Sequence, residues 1–457
     1  MDTETVDPIQ EYTPIQTPWR KAHIGELALL NRQIDEFLVL NDRGFAQGSS
    51  EWVEVRGTTI GGSEQATIEG RNAYSSIYDL IMTKLKLKKF SGDFKTRWGN
   101  IFEEVIVEFV SRDLNTTIKG TEAFLKGRFP TQSYSPDGIG VVGYHSTLGA
   151  CENEEAEPII ALFEFKCPFS RNVNSGEIPD YYLPQIYAGM DTIRLATYAI
   201  FTQGVFRRCS WVELGDNSKY DYTLWPYDKF KNCKPIAYGF LMFKFSTHGV
   251  RNATNNLALK SLAALYNREQ CEVFTTIPTN SDSLFKSTTD KSKILDIGSC
   301  PTDIVEKIFE LYGDKVLTAV YSPIIYTESK NLQYNTVTAE EEYNRIINQA
   351  LEESEIIFGI FPWKLFKIDY SYRSQVVGYL DKWRPKIEEV MSVISKCRSN
   401  PAETSHILGQ YFTSTDRPTD DICTFNSDEI YTKKAEVISN SDLLAKLNKL
   451  RGKKINV

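Results

Sequence analysis

The chain has 457 residues and a formal net charge of −8. That length allows two or three domains, or one large domain with insertions, and that charge counts mildly against a protein that coats nucleic acid by bulk attraction. Nucleic-acid binding would need a local basic patch, whereas an enzyme with a lined groove fits the same numbers.

The opening MDTETVDPIQEYTPIQTPW is acidic and has no apolar core, so it does not read as a signal peptide. Residues 1 to about 20 read as loosely attached. Leu27, Leu30, Ile34 and Phe37 recur at helical spacing and predict a helix over 21–42. Gly61 and Gly62 then predict a turn, with Ser63 and Glu64 opening a helix. A helix is expected over 76–87, and the best one of this half over 97–112. There Trp98, Ile101, Phe102, Val105, Ile106 and Phe109 form one stripe, with Glu103 at its edge and Glu104 off it.

A turn at SPDG leads to a strand near Gly140–Tyr144, an acidic hairpin loop over 145–158, and the strand IIALFEFKC. A helix is expected over about 180–195 and a strand over Thr197–Gln203. Further on, AYGFLMFKF (Ala237–Phe245) reads as a strand and 281–292 as a loop. Helices are expected over 303–312, 338–358 and 378–396, the last with Pro385 inside. Residues 398–440 read as polar and irregular, and the tail SDLLAKLNKLRGKK as a small basic helix.

The eight cysteines contain no Cys-x-x-Cys pair and the four histidines are scattered, so a zinc site of ordinary spacing is not expected. No run reaches the roughly eighteen apolar residues of a membrane span. The expectation is an intracellular, soluble protein with reduced thiols.

The chemistry concentrates in FEFKC. In a strand, Glu164 and Lys166 share one face while Phe163, Phe165 and Cys167 share the other. Asp137 opens the hairpin partner, so two carboxylates and one ammonium come within reach of each other. Close carboxylates repel unless a cation lies between them, and oxygen ligands of this kind suit Mg²⁺ or Mn²⁺ completed by phosphate oxygens. Lys166 would orient or deprotonate a water, and the reaction this describes is metal-assisted phosphodiester hydrolysis. The same three residues also describe an ordinary cross-strand charge pair. Their apolar neighbours count against that reading, because buried charges without a task are costly.

Five blocks in order, WVEVRGTTIGGSE, RWGNIFEE, SPDG, FEFKCPFS and YYLPQIYAGM, resemble the lambda exonuclease and YqaJ-type viral recombinase group of the PD-(D/E)xK nuclease superfamily. The resemblance runs from about Glu51 to Thr202. It implies an α/β (α+β) fold with a restriction-endonuclease-like core, a central mixed sheet flanked by helices, and a C-terminal helical extension. By this resemblance Asp137, Glu164, the Phe165 carbonyl and Glu103 hold the metal. Lys166 is the catalytic lysine, and Tyr182 and Gln185 join the site from the next helix. Arg56, Ser63 and Ser135 are implied as the grip on a terminal 5′-phosphate. The cofactor implied is Mg²⁺, with Mn²⁺ an alternative. The activity implied is 5′→3′ exonucleolysis of double-stranded DNA in viral recombination, repair or replication, in the cytoplasm or at a viral replication site. A single-strand annealing protein is an implied partner, and the chain would act as a monomer or a ring-shaped trimer.

The expected organisation is an N-terminal extension (1–45), the nuclease core (46–250), a family-specific extension completing the fold (251–400) and a polar tail (401–457). KILDIGSCP (Lys293–Pro301) could open a nucleotide-binding unit, but it lacks the later glycines of that motif and Pro301 follows at once, so it is read as a strand and helix that extend the nuclease fold. GIFPWKLFKIDY (Gly359–Tyr370) resembles a segment near the end of large-virus members of the group. Two rival readings stand beside the exonuclease. An endonuclease or resolvase would keep Asp137, Glu164 and Lys166 without needing the phosphate pocket. A non-catalytic DNA-binding scaffold would be expected to have lost one charge of the site.

Overall fold

The computed structural model describes residues 12–45, 49–88, 94–169, 171–208, 233–246, 316–322, 324–326 and 356–414. The motif at 293–301, the loop at 281–292, the helices expected at 303–312 and 338–355, and the basic C-terminal helix lie outside the described residues.

The described helices are α1 (Pro18–Ala22), α2 (Ile24–Asn41), α3 (Ser50–Gly57), α4 (Gln65–Ile68), α5 (Ile77–Lys84), α6 (Phe94–Asp113), α7 (Leu183–Thr192), α8 (Tyr379–Ser399) and α9 (Thr404–Ser414). The strands are β1 (Leu125–Lys126), β2 (Ser133–Tyr134), β3 (Gly138–His145), β4 (Gly149–Ala150), β5 (Glu157–Lys166), β6 (Tyr198–Arg208), β7 (Ala237–Ser246), β8 (Val316–Tyr321), β9 (Ile325–Tyr326) and β10 (Ile356–Ser374). One mixed sheet runs β4-β3-β5-β6-β10-β7-β8, with β9 also on β7. The β5–β6 pair is parallel and α7 makes its crossover; the other pairs are antiparallel. This is the mixed α/β sheet flanked by helices that the motifs imply.

The alternation along β5 separates two cores. Phe163, Phe165 and Cys167 pack against the α6 stripe of Trp98, Ile101, Phe102, Val105, Ile106 and Phe109. On the opposite face Ile160 and Leu162 meet Leu27 and Ile34 of α2 and Ile186 and Met190 of α7. A third cluster joins α4, α5 and α7 to α8 and α9 through Ile68, Ile81, Ala188, Ile387 and Leu408. Helix α8 runs continuously past Pro385.

Three expectations are corrected. Residues 12–20 are docked, because the Trp19 indole is buried and donates to the Ala156 carbonyl at 2.8 Å, while Arg20 pairs with Glu152 at 2.9 Å. Residues 356–358, expected in a helix, begin strand β10, whose register along β7 and β6 overrides the local Glu-rich preference. Residues 404–414, expected to be irregular, form α9, held by Leu408 and Tyr411 in the third cluster.

The C-terminal half is not only helical. β10 lies between β6 and β7, so the core sheet is completed by a strand about 150 residues downstream of β6.

Candidate active site

The β3–β5 register places the site. Gly138 is paired with Phe163, so the next step of the antiparallel ladder sets Asp137 opposite Glu164. Lys166 lies two residues on along the same face. Its Nζ contacts Glu164 Oε1 and lies 3.6 Å from Asp137 Oδ2. The ammonium therefore spans the two carboxylates. Asp137 Oδ2 also accepts the Phe165 N–H at 2.7 Å, which pins the carboxylate to the edge of β5.

Glu164 is fully buried and is surrounded by donors. Gln185 of α7 donates to Oε1, and Tyr134 donates to Oε2 at 3.3 Å. Tyr182, at the N-cap of α7, lies under the ammonium, with Lys166 Nζ 5.3 Å from its ring centre. Both residues expected from the YYLPQ block therefore stand at the site.

Without a further cation the charges balance only where carboxyls keep their protons. Burial, and then the charge of Asp137, push the Glu164 carboxyl up to about 8. Burial and Asp137 likewise raise Glu103 to about 7. Burial works to lower the Lys166 pKa, but Glu164 and Asp137 overcome it and hold the side chain firmly as ammonium. Both pKa values are raised: burial and negative neighbours disfavour charge on Glu164, while the same negative charge outweighs burial at Lys166 and stabilises its ammonium. Both follow from one cause, a buried site with more carboxylates than one lysine can neutralise.

That excess, with an all-oxygen donor set, fits a hard divalent cation. Asp137, Glu164 and the Phe165 carbonyl could hold it, with Glu103 alongside. Among the described residues no group of three or more His, Cys, Asp or Glu side chains converges on one point, so main-chain and substrate oxygens would have to complete the coordination. Glu104, expected off the stripe, is half-buried. Burial, and then Glu103, raise its carboxyl to about 7, and its Oε1 has no hydrogen-bond partner among the described residues.

The expected phosphate grip is partly assembled. Arg56, at the end of α3, stacks on Trp52 at 4.8 Å and its Nη2 donates to Ser63 at 3.4 Å. The same nitrogen lies 3.5 Å from Glu64. Burial pushes Glu64 up, but Lys84 and then Arg56 more than offset it and hold the carboxyl below its usual range. Ser63 does not cap a helix. It lies in a 3-10 turn, Gly62–Glu64, whose Gly61 N–H is taken by the Glu64 carboxylate. Ser135 follows β2, which is joined to the same turn region by Thr59–Ser133 at 2.8 Å and by the Ile60–Gln132 bridge. Ser135 lies two residues beyond Ser133 on the segment that leaves this strand.

Three contributors escape the sequence reading. Tyr134 links the two halves of the site. Its ring fits where Cβ atoms at Gly62 and Gly189 would lie 2.4 and 2.3 Å away, and its hydroxyl reaches Glu164. Both glycines are in the quoted blocks, and two glycines facing one aromatic were the available signal. Arg171 lies 5.9 Å from the Tyr182 ring and donates to Gln203 at 2.6 Å; its signal was a cation shortly after FEFKC. Arg398 of α8 donates to the Gly57 and Lys84 carbonyls at 3.0 and 2.8 Å, bracing the helix that carries Arg56. Nothing in the local sequence points to it.

Comparison with known proteins agrees with the resemblance carried by the five blocks. Residues 51–197 match the model of the YqaJ-like viral recombinase domain. A protein of African swine fever virus (strain Badajoz 1971 Vero-adapted) is 30% identical over 212 residues, covering 43% of this chain and 59% of that protein. Its counterpart from isolate Tick/Malawi/Lil 20-1/1983 is 31% identical over the same length, with the same coverage. The chain thus spans about 59% of the length of these curated relatives. Among solved structures, an alkaline exonuclease (LHK-Exo) from Laribacter hongkongensis is 16% identical with a TM-score of 0.24, covering 34% of this chain and 73% of that one. LHK-Exo in complex with dAMP is 15% identical with a TM-score of 0.25 and the same coverage.

Proposed function

We propose that this chain, whose residues 51–197 match the YqaJ-like viral recombinase domain, is a metal-dependent deoxyribonuclease that degrades linear double-stranded DNA 5′→3′ from a 5′-phosphorylated end. The observation that carries the proposal is Asp137 set opposite Glu164 with the Lys166 ammonium spanning them.

Mg²⁺, or Mn²⁺ in its place, would be held by Asp137, Glu164 and the Phe165 carbonyl, with Glu103 supporting a second position. Such an ion would neutralise charge on the reacting phosphate and acidify water. The chain's own residues do the rest. Gln185 and Tyr134 fix the rotamer of Glu164 by donating to its two oxygens. Lys166, held as ammonium in the metal-free site by Glu164 and Asp137 against the effect of burial, is placed to orient water and stabilise phosphate oxygens. Tyr182 supports the ammonium from below.

The 5′-phosphate preference rests on Arg56. Among the described residues its guanidinium stacks on Trp52 and only Nη2 has a hydrogen-bond or ion-pair partner, which leaves the other N–H donors for phosphate. Ser63 and Ser135 supply hydroxyl donors on abutting segments. The resulting single-stranded tails would serve recombination, repair or replication, with a single-strand annealing protein as downstream partner.

The test is digestion of equal masses of linear and covalently closed duplex by wild type and by Lys166→Ala in Mg²⁺. Loss of linear DNA only, abolished by the substitution, is the expected result. Equal cutting of closed circles would favour an endonuclease.

A further inference from the structure

We propose that Tyr74, on the loop between α4 and α5, is a stacking platform for an unpaired nucleobase at the mouth of the catalytic cleft. The inference rests on the nuclease reading above and adds a binding subsite to it.

Tyr74 is 80% exposed and is the only aromatic among the large apolar side chains that stand exposed on the described residues. Scattered exposed aliphatics are ordinary; this ring is distinguished by what lies behind it. Tyr74 meets Tyr181 edge-on with ring centres 5.8 Å apart. Tyr181 meets Tyr182 at 4.4 Å, and Tyr182 carries the Lys166 ammonium at 5.3 Å. Three successive rings therefore lead from solvent to the catalytic lysine.

The loop that presents Tyr74 is fixed. The Tyr74 N–H donates to Asn72 Oδ1 at 2.9 Å, the Asn72 amide donates to Thr67 of α4 at 2.9 Å, and the Arg71 N–H donates to the Ala66 carbonyl at 2.8 Å. Ser76 caps the helix that follows. The backbone that presents the ring is thus ordered in advance, which lowers the cost of binding on it. The same short stretch carries Ser63, so the loop and the phosphate grip belong to one local unit.

The chemistry that fits is a nucleobase. Glu164 is fully buried and Lys166 lies above the α7 N-terminus, so both strands of an intact duplex cannot reach them together. The strand entering the site must part from its complement near the mouth, which exposes the π-face of a base. Tyrosine stacks on any base, so the contact would be tolerant of sequence.

The test uses full-length protein in a Lys166→Ala background, with 2-aminopurine near the 5′ end of a duplex bearing a short single-stranded 5′ tail. Binding should quench the fluorophore. Adding Tyr74→Ala should remove the quench and weaken tail binding roughly tenfold or more, while Tyr74→Trp should retain both. Equal quenching and equal affinity for Tyr74→Ala, or no quenching in its Tyr74-containing parent, would overturn the inference. Digestion of linear duplex by wild type is measured beside it. An inactive wild type sinks the nuclease reading, whereas an active one with unaltered Tyr74→Ala binding sinks only the platform.

Discussion

The Tyr134 hydroxyl donates to Glu164 Oε2 across 3.3 Å, from a ring seated in the space left by Gly62 and Gly189. One side chain thus touches the turn that carries Ser63, the helix that carries Gln185, and the carboxylate expected to hold the metal. Removing a donor from a buried carboxylate costs roughly 1.5–3 kcal/mol. Tyr134→Phe should therefore lower turnover about ten- to a hundredfold while the fold persists. Gly189→Ala should instead destabilise the protein by about 1–3 kcal/mol, because its Cβ would lie 2.3 Å from the tyrosine oxygen. Thermal melts alongside initial rates separate the two; full activity in Tyr134→Phe would remove Tyr134 from the account.

Asp137→Ala and Lys166→Ala should both abolish hydrolysis, by different routes. Asp137→Ala removes a carboxylate proposed to hold the metal, whereas Lys166→Ala leaves the carboxylates in place and removes the ammonium between them. Calorimetric Mn²⁺ titration should show lost affinity in the first and retained affinity in the second. Wild-type affinity in Asp137→Ala would contradict the ligand assignment.

Glu103→Gln should raise the Mg²⁺ concentration needed for half-maximal activity, since Glu103 feels Asp137 directly. A Mg²⁺ dependence identical to wild type would make it a bystander on α6.

Stability without metal should fall as pH rises. The Glu103 and Glu104 carboxyls lie near about 7 and Glu164 near about 8 in the folded state, all above their ordinary 4.5. The fold therefore holds these protons more tightly than the unfolded chain. Their stabilising contribution is complete below about 4.5 and is lost as pH climbs through 7 and 8. The melting temperature in EDTA should drop between pH 6 and 8.5, and saturating Mg²⁺ should flatten the drop. A rise over that interval in EDTA would reverse the sign of the argument.

The N-terminal half of the fold was legible because its periods are strong. The Trp98–Phe109 stripe and the alternation of Phe163, Glu164, Phe165 and Lys166 each specify one element and one face. The ladder then carries Asp137 to Glu164 without further information. Insertion of β10 between β6 and β7 could not be read, because strand order across some 150 residues is set by tertiary pairing. Ile356 and Ile357, expected at the end of a helix, were misread for the same reason: local preference yields to the register with Phe245 and Lys244. Arg398 on Gly57 and Tyr134 on Glu164 are contacts between distant segments. Only the paired glycines hinted at the second.

A nuclease that grips a terminal phosphate must tell two kinds of DNA end apart. Linear duplex labelled internally, with either a 5′-phosphate or a 5′-hydroxyl, is digested in Mg²⁺ by wild type and by Arg56→Ala. Loss should be fast and 5′→3′ from the phosphorylated end and slow from the hydroxyl end. Arg56→Ala should lower the first rate about ten- to a hundredfold, in line with a charge-assisted contact, and leave the second nearly unchanged. Equal rates on the two ends with wild type would contradict the phosphate grip.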